Sequence, residues 1–211
     1  MERQVLKLLP GLAVAALLAS GCGGEQGPVA GDALEVGAAS TYAVEGAGAL
    51  PPGVEVSLML TPLRNVSDGD LVIRRIEPIG GIPTDGEGAA AEVVGFELAV
   101  RDQALATAVP LGFYAGARPA LQVDGACVEQ PTVAPEDFVL APVGERDEDV
   151  FVVLRVRTTA EGVFGLDGLR VVYELSGVQY FQELRDGLVL HVVPGAAPDV
   201  PEAQTACLAG G

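Results

Sequence analysis

The stretch "LRVVYELSGVQYFQEL" (residues 169–184) decides the fold class of this 211-residue chain. Two runs rich in Val, Tyr and Phe, residue types that favour strands, flank the dipeptide Ser176-Gly177. A two-residue turn between β-rich runs predicts an antiparallel hairpin. The next run, "LVLHVV" (188–193), follows after "RDG" (185–187), and the same reasoning predicts a second hairpin there.

Strand signals continue towards the N-terminus. In "VEVSLML" (54–60) apolar residues alternate with period two, as on a strand with one buried face. Further β-rich runs are "LVIRRIEPIG" (71–80), "EVVGFELAV" (92–100), "LGFYAG" (111–116, as loop or strand), "PALQVD" (119–124), "DFVLAPVG" (137–144) and "DVFVVLRVRTT" (149–159). Such short strands with Gly/Pro turns predict an all-β, antiparallel β-sandwich of about seven to nine strands over residues 51–195.

The order of the runs also carries a resemblance to a known family. From "VSLMLTPLRNVSDGDLVIRRI" (56–76) to "LRVVYELSGVQYFQE" (169–183), the chain resembles immunoglobulin-like domains of bacterial envelope proteins. The resemblance spans roughly residues 51–195 and implies an immunoglobulin-like sandwich. The chain departs from antibody domains because it has no Trp, and its cysteine spacing does not suit their bridge between strands B and F.

The first 22 residues have the layout of a bacterial export signal. Arg3 and Lys7 form a basic head, an apolar run too short for a spanning helix follows, and small residues precede Cys22. "ASGC" (19–22) resembles the lipobox of bacterial lipoproteins, with Ala19 where the family prefers Leu. The resemblance implies cleavage before Cys22 and attachment there of a diacylglycerol and an acyl chain such as palmitate. The alternative is an ordinary signal peptide followed by a chance cysteine.

The resemblance to bacterial lipoproteins implies a cellular location and an order of segments along the chain. Residues 1–21 are expected to be a signal peptide, and the mature protein is expected outside the cytoplasm, held on the inner or outer membrane through lipid at Cys22. The Gly- and Ala-rich composition after Cys22 predicts a flexible tether over 22–50, within which Thr41–Val44 is a candidate edge strand. Residues 196–211 are expected to form a tail.

Net charge limits the partners. The full chain has 12 basic and 29 acidic residues, and removal of residues 1–21 leaves ten and 28, a net charge of −18. Such a surface repels nucleic acid and anionic lipid headgroups, so we expect no nucleic-acid partner. Attachment to the membrane is therefore assigned to the lipid at Cys22 rather than to a basic patch.

Two cysteines remain beside the lipidated one. Because the expected compartment is oxidising and the count is even, Cys127 and Cys207 are predicted to form a disulfide that pins the C-terminal tail to the sandwich. The alternatives, a redox pair or a metal site, have no C-x-x-C motif and no nearby histidine in their favour.

Candidate catalytic and metal-binding residues are few. His191 is the only histidine, and a hydrolytic triad would need it beside Ser57, Ser67 or Ser176, although no G-x-S-x-G motif occurs. The acids of "GERDEDV" (144–150), from Glu145 to Asp149, could bind calcium weakly, but their spacing is not that of an EF-hand and favours a solvated turn. We therefore predict no catalytic residue, no metal and no cofactor. "NVS" (65–67) matches the N-glycosylation pattern, by chance in a bacterial protein.

The adjacent aromatics Tyr180 and Phe181 raise a separate question. Neighbouring strand residues face opposite ways, so one of the two should leave the core. Together with Phe113 and Tyr114 of "LGFYAG" they are a candidate binding patch, unless both faces of the sheet are covered there.

The sequence therefore favours a lipid-anchored, non-catalytic binding or structural module of the bacterial cell envelope. Its partner would be an envelope protein or ligand whose identity the sequence does not give. The alternative is an envelope enzyme, or an accessory domain of one, with a site built from scattered carboxylates.

Overall fold

The computed structural model describes residues 27–36, 41–44, 50–80, 90–102, 113–115, 120–123, 126–185 and 187–196. Sixteen strands lie in these ranges: β1 (Val29–Ala30), β2 (Leu34–Val36), β3 (Thr41–Val44), β4 (Glu55–Asn65), β5 (Leu71–Ile79), β6 (Ala91–Asp102), β7 (Phe113–Ala115), β8 (Ala120–Val123), β9 (Ala126–Glu129), β10 (Thr132–Val133), β11 (Phe138–Leu140), β12 (Glu148–Thr158), β13 (Gly162–Leu166), β14 (Gly168–Leu175), β15 (Val178–Leu184) and β16 (Gly187–Val192). No helix in the described ranges is long and apolar enough to cross a membrane.

Two large sheets pack together to form the sandwich. The first has the order β1-β15-β14-β5-β11, and the second has the order β10-β6-β12-β4-β2, with β7 also paired to β4. A three-stranded sheet, β13-β16-β3, and the pair β8-β9 complete the described structure. Seven of the strands, β4, β5, β6, β12, β14, β15 and β16, have six or more residues. The predicted all-β sandwich is thus confirmed.

The strand β12 shows why its sequence favours the centre of a sheet. It pairs antiparallel with β6 on one side and with β4 on the other. Val152, Leu154 and Val156 face the main core, which they share with Leu71 and Ile73 of the opposite sheet. The other face of β12 is also covered at one end, where a second buried cluster comprises Met59, Ala99, Phe151 and Val153. Burial on both faces accounts for the continuous apolar run in this strand.

The hairpin predicted around Ser176-Gly177 is confirmed. β14 and β15 pair antiparallel from Leu169 opposite Leu184 to Leu175 opposite Val178. Ser176 and Gly177 have φ angles of 53° and 79°. Two consecutive left-handed residues are typical of the type I′ turn, whose twist matches that of a hairpin.

The second predicted hairpin, across "RDG" (185–187), is wrong. β15 pairs with β14 and β1, whereas β16 pairs antiparallel with β13 and parallel with β3. The alternation of β16 explains the difference, because Leu188 and Leu190 are buried in the main core and Val192, on the same face, is also buried. The chain leaves the first sheet after β15 and places this apolar face in the core through a different sheet.

The sandwich begins before residue 51. β1 pairs parallel with β15, and β2 pairs antiparallel with β4, so residues 29–36 of the predicted tether belong to the two large sheets. Thr41–Val44 is β3, which confirms the expected edge strand. β1 and β3 are parallel exceptions to the predicted antiparallel pairing, because each is a short strand added to the edge of a strand distant in sequence.

Long-range hydrogen bonds hold these N-terminal residues in place. The Gln182 side chain accepts from the Leu34 N–H at 3.0 Å and donates to the Leu34 carbonyl at 2.6 Å. The Tyr173 hydroxyl accepts from the Ala33 N–H at 3.2 Å. Gly31 leaves room for this ring, since a Cβ at that position would lie 2.1 Å from the Tyr173 oxygen. Burial raises the pKa of Tyr173.

Candidate functional site

Three connections lie together at one end of the sandwich, which we call the loop end. They are residues 66–70 between β4 and β5, residues 141–147 between β11 and β12, and the turn at 176–177. The first two line one opening, and the first and third line another beside it. The opposite end, where β12 finishes, has residues 51–54 and 159–161, with Gly53 N–H donating to the Thr158 carbonyl at 2.9 Å.

Asn65, at the last position of β4, organises the loop end. Its side chain is fully buried, and Nδ2 donates to the carbonyls of Gly69 (2.7 Å) and Leu140 (2.8 Å). Its Oδ1 accepts from the Ser67 backbone N–H at 3.0 Å and from the Ser67 hydroxyl at 2.7 Å. In addition, the backbone carbonyl of Asn65 accepts a hydrogen bond from the Val143 N–H at 2.8 Å. One amide therefore connects the β4–β5 turn to the chain beyond β11.

This arrangement gives "NVS" (65–67) a structural role. Because both N–H groups of the Asn65 amide are already used by backbone carbonyls inside the protein, the side chain has no exposed nitrogen to accept a sugar. The pattern in the sequence is that of an Asx-type turn, in which the asparagine side chain bonds the backbone two residues ahead.

A cleft of about 240 Å³ opens beside this amide. Its walls are the end of β4, the chain after β11, and the charged residues Arg146, Glu148 and Asp149. Arg146 donates to Glu148 at 3.1 Å and lies over the Phe138 ring, 5.4 Å from its centroid. The cleft is therefore partly charged, and the Arg146 guanidinium is already occupied by a carboxylate and an aromatic face.

The acidic segment from Glu145 to Asp149 lies at the loop end. Glu145, Asp147 and Glu148 are exposed, and Asp149 is half-buried where β12 begins. Among the described residues, no group of three or more His, Cys, Asp or Glu side chains has a geometry that could hold a metal ion. The arrangement agrees with a solvated turn.

Exposed valines surround the same end. Among the described residues, seven large apolar side chains are exposed, and five of these lie at the loop end or on the strand residues next to it. These five are Val29, Val66, Val139, Val143 and Val178. Val143 has the largest exposed fraction, 61%, at the tip of the loop beside Glu145. The loop end therefore combines a rim of valine side chains with exposed carboxylates, a combination that the sequence analysis did not predict.

The outer face of the second sheet carries a network of ion pairs rather than a pocket. Arg155 donates to Glu55 through Nε (3.0 Å) and to Glu97 (3.0 Å), and Arg157 donates to Glu55 (3.2 Å) and Glu92 (3.0 Å). The hydrogen bond from Arg155 is the main reason that the pKa of Glu55 is lowered, and the same pairing raises the pKa of Arg155. The ion pairs join β4, β12 and β6.

The outer face of the first sheet is similar. Arg74 pairs with Asp137 and, at 2.7 Å, with Glu174, and Arg170 pairs with Glu183 at 2.7 Å. These partners raise the pKa values of Arg74 and Arg170. These two arginines, like Arg155 and Arg157 on the second sheet, therefore bind neighbouring carboxylates.

A buried arginine was not foreseen from the sequence. Arg101, at 1% exposure, donates through Nε to Gln130 at 2.9 Å, and its guanidinium lies over the Phe151 ring at 5.4 Å. Its two terminal nitrogens have no hydrogen-bond partner in the described part of the chain. Only its position after an apolar strand run could have indicated burial.

The aromatic residues Tyr180 and Phe181 do face opposite ways. Tyr180 packs against the core and stacks on Tyr173, with ring centroids 5.7 Å apart. Phe181 faces outwards, half-buried, with the Arg170 guanidinium 5.2 Å from its centroid. β1 also runs along this part of β15. Tyr180 is therefore covered by the core, and Phe181 is partly covered on the outer face.

Phe113 and Tyr114 lie elsewhere in the sheets. Their strand, β7, pairs with β4 in the second sheet, Tyr114 opposite Ser57 and Phe113 opposite Leu58. Tyr180 and Phe181 belong to the first sheet, so the four residues do not share one sheet face. The candidate patch is divided between the two sheets.

The three serines that a hydrolytic triad could use, and the histidine, lie on different elements of the fold. Ser57 is buried on β4, Ser67 is bonded to Asn65, and Ser176 is in the hairpin turn. His191 lies on β16 in the three-stranded sheet, opposite Val163. Cys127 is on β9, opposite Gln122 of β8. Cys22 and Cys207 lie outside the described residues, so lipidation and the disulfide remain predictions.

Comparison with known proteins identifies no family for this chain. No protein-family model matches the chain, and no curated protein matches it. Among solved structures, the chain is similar to the ASH / PapD-like domain of human CEP192 (PapD-like domain 7), with 10% identity over 88% of this chain and 99% of that chain and a TM-score of 0.35. A likeness of this size says nothing about function. The sheet topology of this chain itself defines its class, a β-sandwich of two large sheets.

Proposed function

We propose that the chain is a lipid-anchored, non-catalytic binding or structural module on the outer side of a bacterial membrane. Lipid at Cys22 attaches it to the membrane, and its surface binds an envelope protein or ligand. The observation that carries the proposal is the position of the first strand. Val29 is only seven residues after Cys22 and is already paired with Tyr180. A folded domain that begins so soon after a lipobox-like "ASGC" would be held close to the membrane by lipid at Cys22.

The carboxylates favour a binding module over the alternative, an envelope enzyme or its accessory domain. A general acid needs a carboxyl group with a raised pKa. The acids on the sheet faces instead bind arginines, and the pKa of Glu55 is lowered by Arg155. A lowered pKa makes Glu55 a poor general acid, and the charge pairing joins neighbouring strands of the sheets.

Replacement of the anchor tests the proposal. We expect the wild-type protein to sediment with membranes, to resist a high-salt wash and to be released by detergent, because acyl chains rather than charges hold it. Cys22→Ala should be found in the soluble extracytoplasmic fraction or remain unprocessed. The matched control is Cys127→Ala, which changes another cysteine and should stay with the membranes. Unchanged sedimentation of Cys22→Ala would overturn the proposal.

A further inference from the structure

The N-terminal strand enters the sandwich at the loop end. β1 runs parallel to β15, with Val29 opposite Tyr180, so the chain before Val29 leads back towards the Ser176-Gly177 turn. The next segment places Leu34 opposite Asn65, and the Ala33 carbonyl accepts from Val66 N–H at 2.9 Å. The segment that connects the sandwich to Cys22 therefore leaves from the same end as the exposed valines.

The length of that connection limits how far the loop end can lie from the anchor. Val29 is the seventh residue after Cys22. A fully extended chain spans at most ~3.4 Å per residue, so Val29 lies within about 24 Å of Cys22. The far end of β4, ten residues from Asn65, is about 33 Å further along the strand. The two ends of the sandwich are thus unequal in their access to the bilayer.

We propose that the loop end lies against the headgroup layer of the membrane that holds Cys22, with its exposed valines in contact with the lipid. The inference rests on the proposed lipid anchor and adds an orientation and a contact surface to it. Val66, Val143 and Val178 supply apolar area with little side-chain entropy to lose on contact. Apolar side chains clustered on one exposed surface are a feature of protein or membrane interaction sites.

The charge of this end specifies the lipid. Asp68, Glu145 and Asp147 are exposed there; of the two arginines beside them, Arg146 pairs with Glu148 and Arg64 is exposed, so acids remain in excess. Such a surface is repelled by anionic headgroups within about a Debye length, ~10 Å at 0.1 M salt. It fits a zwitterionic layer such as phosphatidylethanolamine, whose ammonium group is outermost.

The absence of tryptophan from the sequence makes a direct test available. In Val143→Trp and Val193→Trp the new side chain is the only tryptophan, and both positions are exposed, by 61% and 43%. Val143 is at the loop end, whereas Val193 is at the opposite end, where its N–H donates to the Leu50 carbonyl at 2.8 Å. Each variant, in its mature lipidated form, is reconstituted into phosphatidylcholine–phosphatidylethanolamine vesicles that contain a nitroxide-headgroup lipid, and fluorescence quenching is measured.

Fluorescence of Val143→Trp should be quenched more than that of Val193→Trp by about twofold or more, because the ends are ~33 Å apart. Replacing part of the lipid by phosphatidylglycerol at low salt should reduce quenching of Val143→Trp, and added salt should restore it. Equal quenching of two variants that both sediment with the vesicles, or stronger quenching of Val193→Trp, would overturn the orientation and leave the anchor intact. Stronger quenching of Val143→Trp by anionic vesicles would overturn the assigned headgroup. Failure of both variants to sediment would overturn the anchor together with the orientation.

Discussion

Leu154→Ala should lower the free energy of unfolding by about 2–5 kcal/mol, the range measured for large-to-small changes in cores. Leu154 has no exposed surface and occupies the middle of β12, opposite Leu58 of β4 and Phe96 of β6. Its removal leaves a cavity where the two large sheets meet, and strands paired on both sides cannot easily move to fill it. Denaturant unfolding followed by circular dichroism measures the change.

The matched control for Leu154→Ala is Val178→Ala. Val178 is also on a strand but is 47% exposed. We expect the control to change the free energy of unfolding by no more than about 0.5 kcal/mol, as is usual for surface positions. Equal effects of the two substitutions would contradict the position of the core between the sheets.

Asn65→Ala should lower the free energy of unfolding by about 2–4 kcal/mol, since the substitution removes four side-chain hydrogen bonds and leaves buried backbone groups without partners. Ser67→Ala, which removes one hydroxyl from the same turn, should cost about 1 kcal/mol or less. Asn65→Asp keeps the acceptor oxygen but loses both donors to Gly69 and Leu140, so it should be at least as destabilising as Asn65→Ala. Denaturant titration of the three variants gives the comparison.

An Asn65→Ala protein as stable as the Ser67→Ala protein would contradict the role of Asn65 at the loop end. The stability measurement can be extended by hydrogen exchange. In Asn65→Ala we expect faster exchange of the Ser67 amide, because its N–H donates to the Asn65 side-chain oxygen that the substitution removes, whereas the Val143 N–H keeps the Asn65 backbone carbonyl as its acceptor. Amides in the middle of β12 should show only the global change.

The parts of the fold that the sequence predicted are those with local signals. Ser176-Gly177 has the chemistry of a two-residue turn, and the hairpin formed as expected. The long runs of β4, β6 and β12 have the composition of buried strands and lie side by side at the centre of the second sheet.

The parts that the sequence missed depend on distant contacts. β1 and β2 have two and three residues, too few for a periodic pattern, and they are held by Tyr173 and Gln182, some 140 residues away in the chain. Gly162 and Gly165 similarly weaken the strand signal of β13. Pairing across "RDG" could not be foreseen, because the partner of β16 depends on which edges other strands have already occupied.

The candidate site shows the same division. The sequence identified the acids from Glu145 to Asp149 as a solvated turn; Glu145 and Asp147 lie exposed in the loop, and Glu148 and Asp149 begin β12. The sequence could not show that the turns containing Val66, Val143 and Ser176 meet at one end of the sandwich. The order of the strands in the sheets brings these turns together, and that order is not a local property of the sequence. The role of Asn65 was also missed, although "NVSDG" (65–69) is a turn sequence, since its bond to the Leu140 carbonyl crosses 75 residues.

Mass spectrometry of the membrane-extracted protein tests the lipid anchor most directly. The account predicts a mature chain whose first residue is Cys22, with the mass of a diacylglycerol on its thiol, and no peptide from residues 1–21. Cys127 provides the control in the same digest, since it should carry no acyl chain. A Cys22 with an unmodified thiol, or a chain that retains residues 1–21, would contradict the account.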